Sequence, residues 1–161
     1  IGANALAIPN NTIILTDELV ELAKNDDEII GVLAHEKGHL VERHSLQQTL
    51  SSLGFSVILI AITGDASDLV TTVPVALIGA KYSRDFESEA DLYALNTMHQ
   101  HKIPTVHFAN FLQRLEDDSK DESSKNKKDA DESSVFDFLQ SHPTTKARID
   151  AVKEFDAQTQ K

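Results

Sequence analysis

Residues 33–44 read LAHEKGHLVERH, which sets His35 and His39 four positions apart with Glu36 directly after the first histidine. Whether these groups meet depends on the local backbone. Upstream, KNDDEII (24–30) offers Asn25 or Asp26 as an N-cap, and Asn25 with Glu28 has capping-box spacing. Ile29, Ile30, Leu33, Ala34, Leu40 and Val41 then recur at helical intervals with no proline among them. The stretch predicts a helix, and on a helix positions i and i+4 share a face one turn apart. Both imidazoles are then presented to one point. Glu36 is rotated by about 100° around the axis, where its carboxylate can hold a water beside a metal without taking a ligand position. Two ordinary histidines on a polar helix face are the plainer alternative; glutamate in the second position favours zinc.

A tetrahedral catalytic zinc needs a third protein ligand and leaves its fourth position to water. The chain has no cysteine, so the third ligand is His, Asp or Glu. A third histidine six residues after His39 is absent, since that position is Ser45 and His44 falls one short. His99, His101 and His107 are candidates, but MHQHKIPTVH (98–107) reads as a helix end and a turn. YSRDFESEADLYAL (82–95) suits the chemistry better. Phe86, Ala90, Ala94 and Met98 form one stripe of a predicted helix, and Glu87 and Asp91 stand four apart on one face. There Glu87 can bind the metal while Asp91 accepts a hydrogen bond from the other ring nitrogen of a ligand histidine, fixing its tautomer. A solvated acidic face is the bland alternative.

Around these two helices the chain is plain. With 161 residues, 40% of them hydrophobic, it can bury one good core, and a single domain over 1–161 is the default. The net charge of -11, from 26 acidic and 15 basic residues, argues against nucleic acid or an anionic membrane surface as a partner. Without cysteine there are no disulfides and no cysteine nucleophile, whatever the compartment. The sequence opens at IGANALAIP with no initiator methionine or signal peptide, and reads as a domain excised from a longer chain. ANALAIP (3–9) and TIILT (12–16) predict a short hairpin around Asn10–Asn11. LGFSVILIAI (53–62) and LVTTVPVALIGA (69–80) are too short or too interrupted for membrane spans and read as buried core helices. In EDDSKDESSKNKKDADESS (116–134) only Ala130 is apolar, so the segment is expected to be a mobile loop, either a plain insertion or a lid over the cleft. The fold class implied is α+β and mostly α-helical: the HExxH helix against a second ligand helix, with a short N-terminal hairpin.

In that order, NALAIPNNTIILTDELV, VLAHEKGHLVERH, YSRDFESEAD and SHPTTKARI resemble the blocks of the zinc endopeptidase (gluzincin) family that includes HtpX-type heat-shock peptidases, BepA-type periplasmic peptidases and CAAX prenyl endopeptidases. The likeness runs from about residue 4 to 150. It implies one Zn2+ per chain, with Glu87 and not Glu89 as the third ligand beside His35 and His39. It implies Asp91 behind a ligand histidine, Glu36 as general base, and His142 as a group stabilising the tetrahedral intermediate next to Pro143, which is read as starting a helix. It also maps the family's arginine onto Arg148; Arg148, Arg84 and Tyr82 are cleft-lining or structural. Lys37 departs from the family's usual apolar residue, but it is expected to point away from the ligand face. Several members being membrane-bound, a membrane-leaning hairpin is the rival account of the apolar runs, and membrane contact through absent parts of the parent chain is compatible with the likeness. The implied activity is cleavage of unfolded or extended protein segments, added as a strand along the edge at residues 4–8, in envelope quality control on the periplasmic side of a bacterial cell. The competing class is a zinc-stabilised holdase that binds without cleaving. Glu36 discriminates, because a purely structural site has no use for it.

Overall fold

A computed structural model describes residues 2–8, 10–63, 84–124, 135–143 and 146–159. Strands β1 (Ala5–Ile8) and β2 (Thr12–Leu15) pair antiparallel, Ala5 opposite Leu15 and Ile8 opposite Thr12. Asn10 and Asn11 make the reversal at φ 93° and 59°, a left-handed conformation that asparagine adopts more readily than most residues. Thr16 joins the hairpin to the first helix. Its hydroxyl accepts from Asn4 N–H at 2.8 Å and from Leu19 N–H at 3.4 Å, capping helix α1 (Asp17–Leu22).

Helix α2 (Asp26–Val41) carries HExxH and begins as the capping signal predicts. Asn25 Oδ1 accepts from Glu28 N–H at 3.1 Å, while the Glu28 carboxylate accepts from Lys24 N–H at 2.9 Å, one residue upstream of the usual capping-box partner. Glu28 is buried and also pairs with the guanidinium of Arg114, tying the start of α2 to another helix. After α2 come α3 (His44–Thr63), α4 (Arg84–Gln100), α5 (Val106–Ser124), α6 (Val135–Ser141) and α7 (Lys146–Thr159). The fold is α+β and mostly helical, with one two-stranded sheet among the described residues.

The core lies between α2, α4, α5 and α7. Val32, Ala94, Met98, Phe108, Phe111, Leu112, Leu115 and Val152 are all at most 1% exposed. Full burial of each larger side chain contributes about 1.5–3 kcal/mol, and the Phe108–Phe111–Leu112–Leu115 face of α5 falls where its periodicity predicts. Two glycines set how closely the helices approach. A Cβ on Gly31 would lie 2.9 Å from Phe108 Cβ, and one on Gly38 would lie 2.9 Å from Ala90 Cα. Bare backbone at those points lets α2 sit against α5 on one side and α4 on the other.

The structure adds to the sequence reading on α2 and α3 and departs from it at 116–124 and at Pro143. The buried face of α2 is Glu28, Gly31, Val32, Ala34, His35, Glu36, Gly38 and His39, whereas Ile30 and Val41 from the apolar stripe are exposed. The stripe marked the helix but not the face it buries. The run at 53–62 lies within helix α3, where Val57 is exposed and Leu53 and Ile60 are half-buried; the burial expected of its other apolar side chains lies outside the described residues. No helix among the described residues is long and apolar enough to cross a membrane, and 69–80 lies outside them. The acidic segment does not begin a loop at 116: α5 continues through it to Ser124, with Lys120 Nζ 2.7 Å from Glu116 Oε1 one turn away. Residues 125–134 of the expected loop lie outside the described residues. Pro143 is itself outside any helix, residues 144–145 lie outside the described residues and α7 is described from Lys146; His142 comes after the last turn of α6, its N–H donating to Phe138 O at 2.8 Å.

Candidate metal centre

His35 and His39 project from one face of α2, as their spacing requires, with Nε2 atoms 3.1 Å apart. The neighbouring helix α4 delivers Glu87 against them: Oε1 is 3.3 Å from His39 Nε2 and Oε2 is 3.5 Å from His35 Nε2. From the end of α6, His142 Nδ1 comes within 3.4 Å of His35 Nε2 and 3.1 Å of Glu87 Oε1. One ligand atom from each of these four residues lies within 4.8 Å of every other, and all four are buried. His142 thus stands beside the other three donors, within reach of both His35 and Glu87. Its ring stacks on Phe138 at 4.9 Å between centroids.

Glu36 is fully buried beside the cluster, with Oε1 3.3 Å from His142 Nε2. Burial pushes its carboxyl up from the ordinary value, against the pull of His142 and His35. Strand β1 packs against α2, so the hairpin runs alongside the helix that carries Glu36. Asp91, one turn after Glu87 on α4, sits 2.9 Å from His35 Nδ1. Arg148, from α7, grips Asp91 with both Nε (2.6 Å) and Nη2 (2.7 Å), reaches Glu87 Oε2 with Nη1 at 2.6 Å, and donates to Pro143 O at 2.9 Å. Burial opposes the charged form of Asp91, but the guanidinium outweighs it and holds the carboxyl below the usual range. Glu87 is held low in the same way by the three histidines.

These residues suit a divalent cation. Facing a carboxylate, His35 Nδ1 carries the hydrogen, which leaves Nε2 of the neutral ring as a lone pair aimed at further nitrogen and carboxylate lone pairs. Without a metal the cluster must hold a proton in that space: Asp91 and Glu87 overcome burial and raise His35 to about 9, while burial, with His35 and His142 and against the pull of Glu87, lowers His39 to about 3. A cation satisfies all of the donors at once.

Of the other residues singled out, Arg84 is exposed at the first turn of α4 and Tyr82 lies outside the described residues. Arg148 is buried behind the ligands, not in the open cleft. Lys37 is exposed, as its place on the helix predicts. His99 and His101 are exposed, and His107 pairs with Asp27 at 3.5 Å, so none of the three joins the cluster. Sequence reasoning passed over His44, which contacts His39 from behind. The signal was present in the ERH that ends the quoted stretch.

Two histidines and a glutamate on paired helices, with a second glutamate next to the first histidine, define a metallopeptidase site. The Peptidase family M48 profile matches residues 2–156, and the chain belongs to that family. It is 37% identical over 109 residues to metalloprotease YcaL of Escherichia coli, covering 63% of this chain and 42% of that one. The mitochondrial metalloendopeptidase OMA1 of Arabidopsis thaliana is 32% identical over 93 residues, 57% of this chain and 19% of its own length. OMA1 of Schizosaccharomyces pombe is 26% identical over 158 residues, 94% of this chain and 43% of its own. The chain spans less than half the length of these curated relatives.

Proposed function

We propose that the chain is the catalytic domain of a zinc-dependent metalloendopeptidase, with one zinc held by His35, His39 and Glu87. The convergence of these three side chains, with the buried Glu36 carboxylate alongside, carries this reading. When bound, zinc supplies Lewis acidity that polarises a carbonyl and lowers the pKa of water toward about 7. Glu36 takes a proton from the attacking water and returns it to the leaving amine. The buried, partly apolar surroundings that raise its proton affinity suit a group that must accept a proton and then give it back. His142 donates toward the developing oxyanion. Asp91 fixes the tautomer of His35, and Arg148 holds both Asp91 and Glu87 in place.

The substrate is an extended segment of unfolded protein, added as a strand to the edge of β1, which packs beside the HExxH helix. Among the described residues β1 pairs with β2 alone in a two-stranded sheet, so its other edge is the one a substrate strand would join. Protein quality control in a bacterial envelope is the setting the family resemblance favours. The test is zinc stoichiometry with casein cleavage. The parent is expected to bind one zinc and to cleave only in its presence. Glu36→Gln, nearly isosteric and with no metal bond to lose, is expected to keep the zinc while cleavage falls by at least about 10²-fold. Equal cleavage by parent and variant removes Glu36 from the base role. A zinc-loaded parent that binds casein and never cleaves it makes the chain a binding module instead.

A further inference from the structure

Helix α2 ends at Val41, and the chain reverses through Arg43, whose φ of 56° is left-handed. A residue with a Cβ resists that conformation, and surrounding structure must hold it there. The reversal turns His44 back beneath α2, where it is fully buried. Its Nδ1 lies 2.8 Å from His39 Nδ1 and its Nε2 3.0 Å from Glu89 Oε2, while its ring stacks on Phe86 at 4.3 Å and 11°.

These contacts determine where the hydrogens go. A carboxylate only accepts, so His44 Nε2 carries a hydrogen toward Glu89. At 2.8 Å one of the two facing Nδ1 atoms donates to the other, and with His44 as the acceptor the hydrogen sits on His39 Nδ1. It follows that His39 Nε2 is a lone pair directed at the donor cluster. We propose that His44 is a positioning residue for His39: it fixes the tautomer and rotation of that ligand ring, and Glu89 in turn fixes His44. The inference rests on the zinc reading above. It gives the two ligand histidines unlike supports. His35 leans directly on the Asp91 carboxylate, whereas His39 leans on the His44 imidazole with its carboxylate one step further out, at a side chain 56% exposed. Only one of the two supporting carboxylates is therefore buried with Glu36 and Glu87.

The competing account is that His44 merely fills the space against Phe86. Two substitutions separate the accounts. His44→Phe keeps a ring to stack and removes the acceptor; His44→Asn loses the ring and puts an amide oxygen close to where Nδ1 stood. Zinc affinity is measured by competition with a chromogenic chelator, beside the thermal midpoint of each zinc-free protein. Supporting partners of metal ligands are typically worth about 10–100-fold in affinity, so His44→Phe should lose that much with a near-parental zinc-free midpoint. His44→Asn should recover most of it. The reverse order, Phe binding like the parent and Asn weakened or unstable, overturns the proposal. Should the Phe ring prevent folding, His44→Leu, which also lacks the acceptor, takes its place in the same ranking. A parent that binds no zinc sinks the proposed function and this inference together; a parent that binds zinc no better than a folded His44→Phe sinks this inference alone.

Discussion

Glu87 and Glu89 stand two residues apart on one helix and meet opposite surroundings. Glu87 is 1% exposed and touches three histidines and Arg148; the Glu89 side chain is 56% exposed and touches His44. Glu87→Gln replaces an anionic donor with a neutral amide inside a buried cluster and leaves Arg148 short of a partner. Zinc affinity should fall by more than the roughly 10–100-fold that outer partners cost. Glu89→Gln still offers His44 an acceptor and should bind zinc like the parent. Equal affinities in the two variants would remove Glu87 from the ligand set. His142 admits a sharper split because its ring approaches both Glu87 and Glu36. His142→Ala should retain zinc on His35, His39 and Glu87 and lower kcat more than it raises KM. A pure KM effect assigns His142 to substrate binding, and loss of zinc makes it a fourth ligand.

At the scale of elements, the site exists because α2 and α4 nearly touch. A Cβ on Gly38 meets Ala90 Cα at 2.9 Å and Ala90 O at 3.1 Å, and backbone cannot swing aside. Gly→Ala within a helix ordinarily gains up to about 1 kcal/mol, but overpacking costs about 1–3 kcal/mol. The clash is expected to win, so Gly38→Ala should lower the zinc-free thermal midpoint and also weaken zinc binding, because Glu87 moves away with α4. Gly54 on α3 has nothing within 4 Å of its Cβ position, and Gly54→Ala should be neutral or stabilising. Both ligand helices were legible from the spacing of their functional groups. Apolar periodicity marked α2 without naming its buried face, which is made of polar groups at the site, so hydrophobic residues such as Ile30 and Val41 are exposed. Composition misled at 116–124 for a related reason. The buried apolar face of α5 nucleates a helix that acidic residues then extend, with pairs such as Glu116–Lys120 along its surface.

In the whole molecule, the cluster joins segments far apart in the chain: His35 and His39, then Glu87 and Asp91, then His142 and Arg148. HExxH alone announced the first pair. Spacing along one helix cannot say which later carboxylate will face it, so the choice of Glu87 over Glu89 rested on resemblance, and the buried role of Arg148 emerged only from packing. That distribution makes metal binding a folding event, since an unfolded chain offers no such set. Free zinc at 1,000 times its dissociation constant stabilises the native state by about 4 kcal/mol. For a domain of this size each kcal/mol moves the thermal midpoint by about 2–4 °C, so stripping zinc with a chelator should lower it by about 10 °C. The loss should reverse on adding zinc back. Glu36→Gln, which touches no metal in this assignment, should show the same zinc-dependent shift as the parent even though it no longer cleaves. Glu87→Gln at the same free zinc should show a much smaller one. A midpoint indifferent to zinc in the parent would mean that the four converging donors are a protonated structural cluster, with the raised His35 supplying the charge that a cation was assigned to supply.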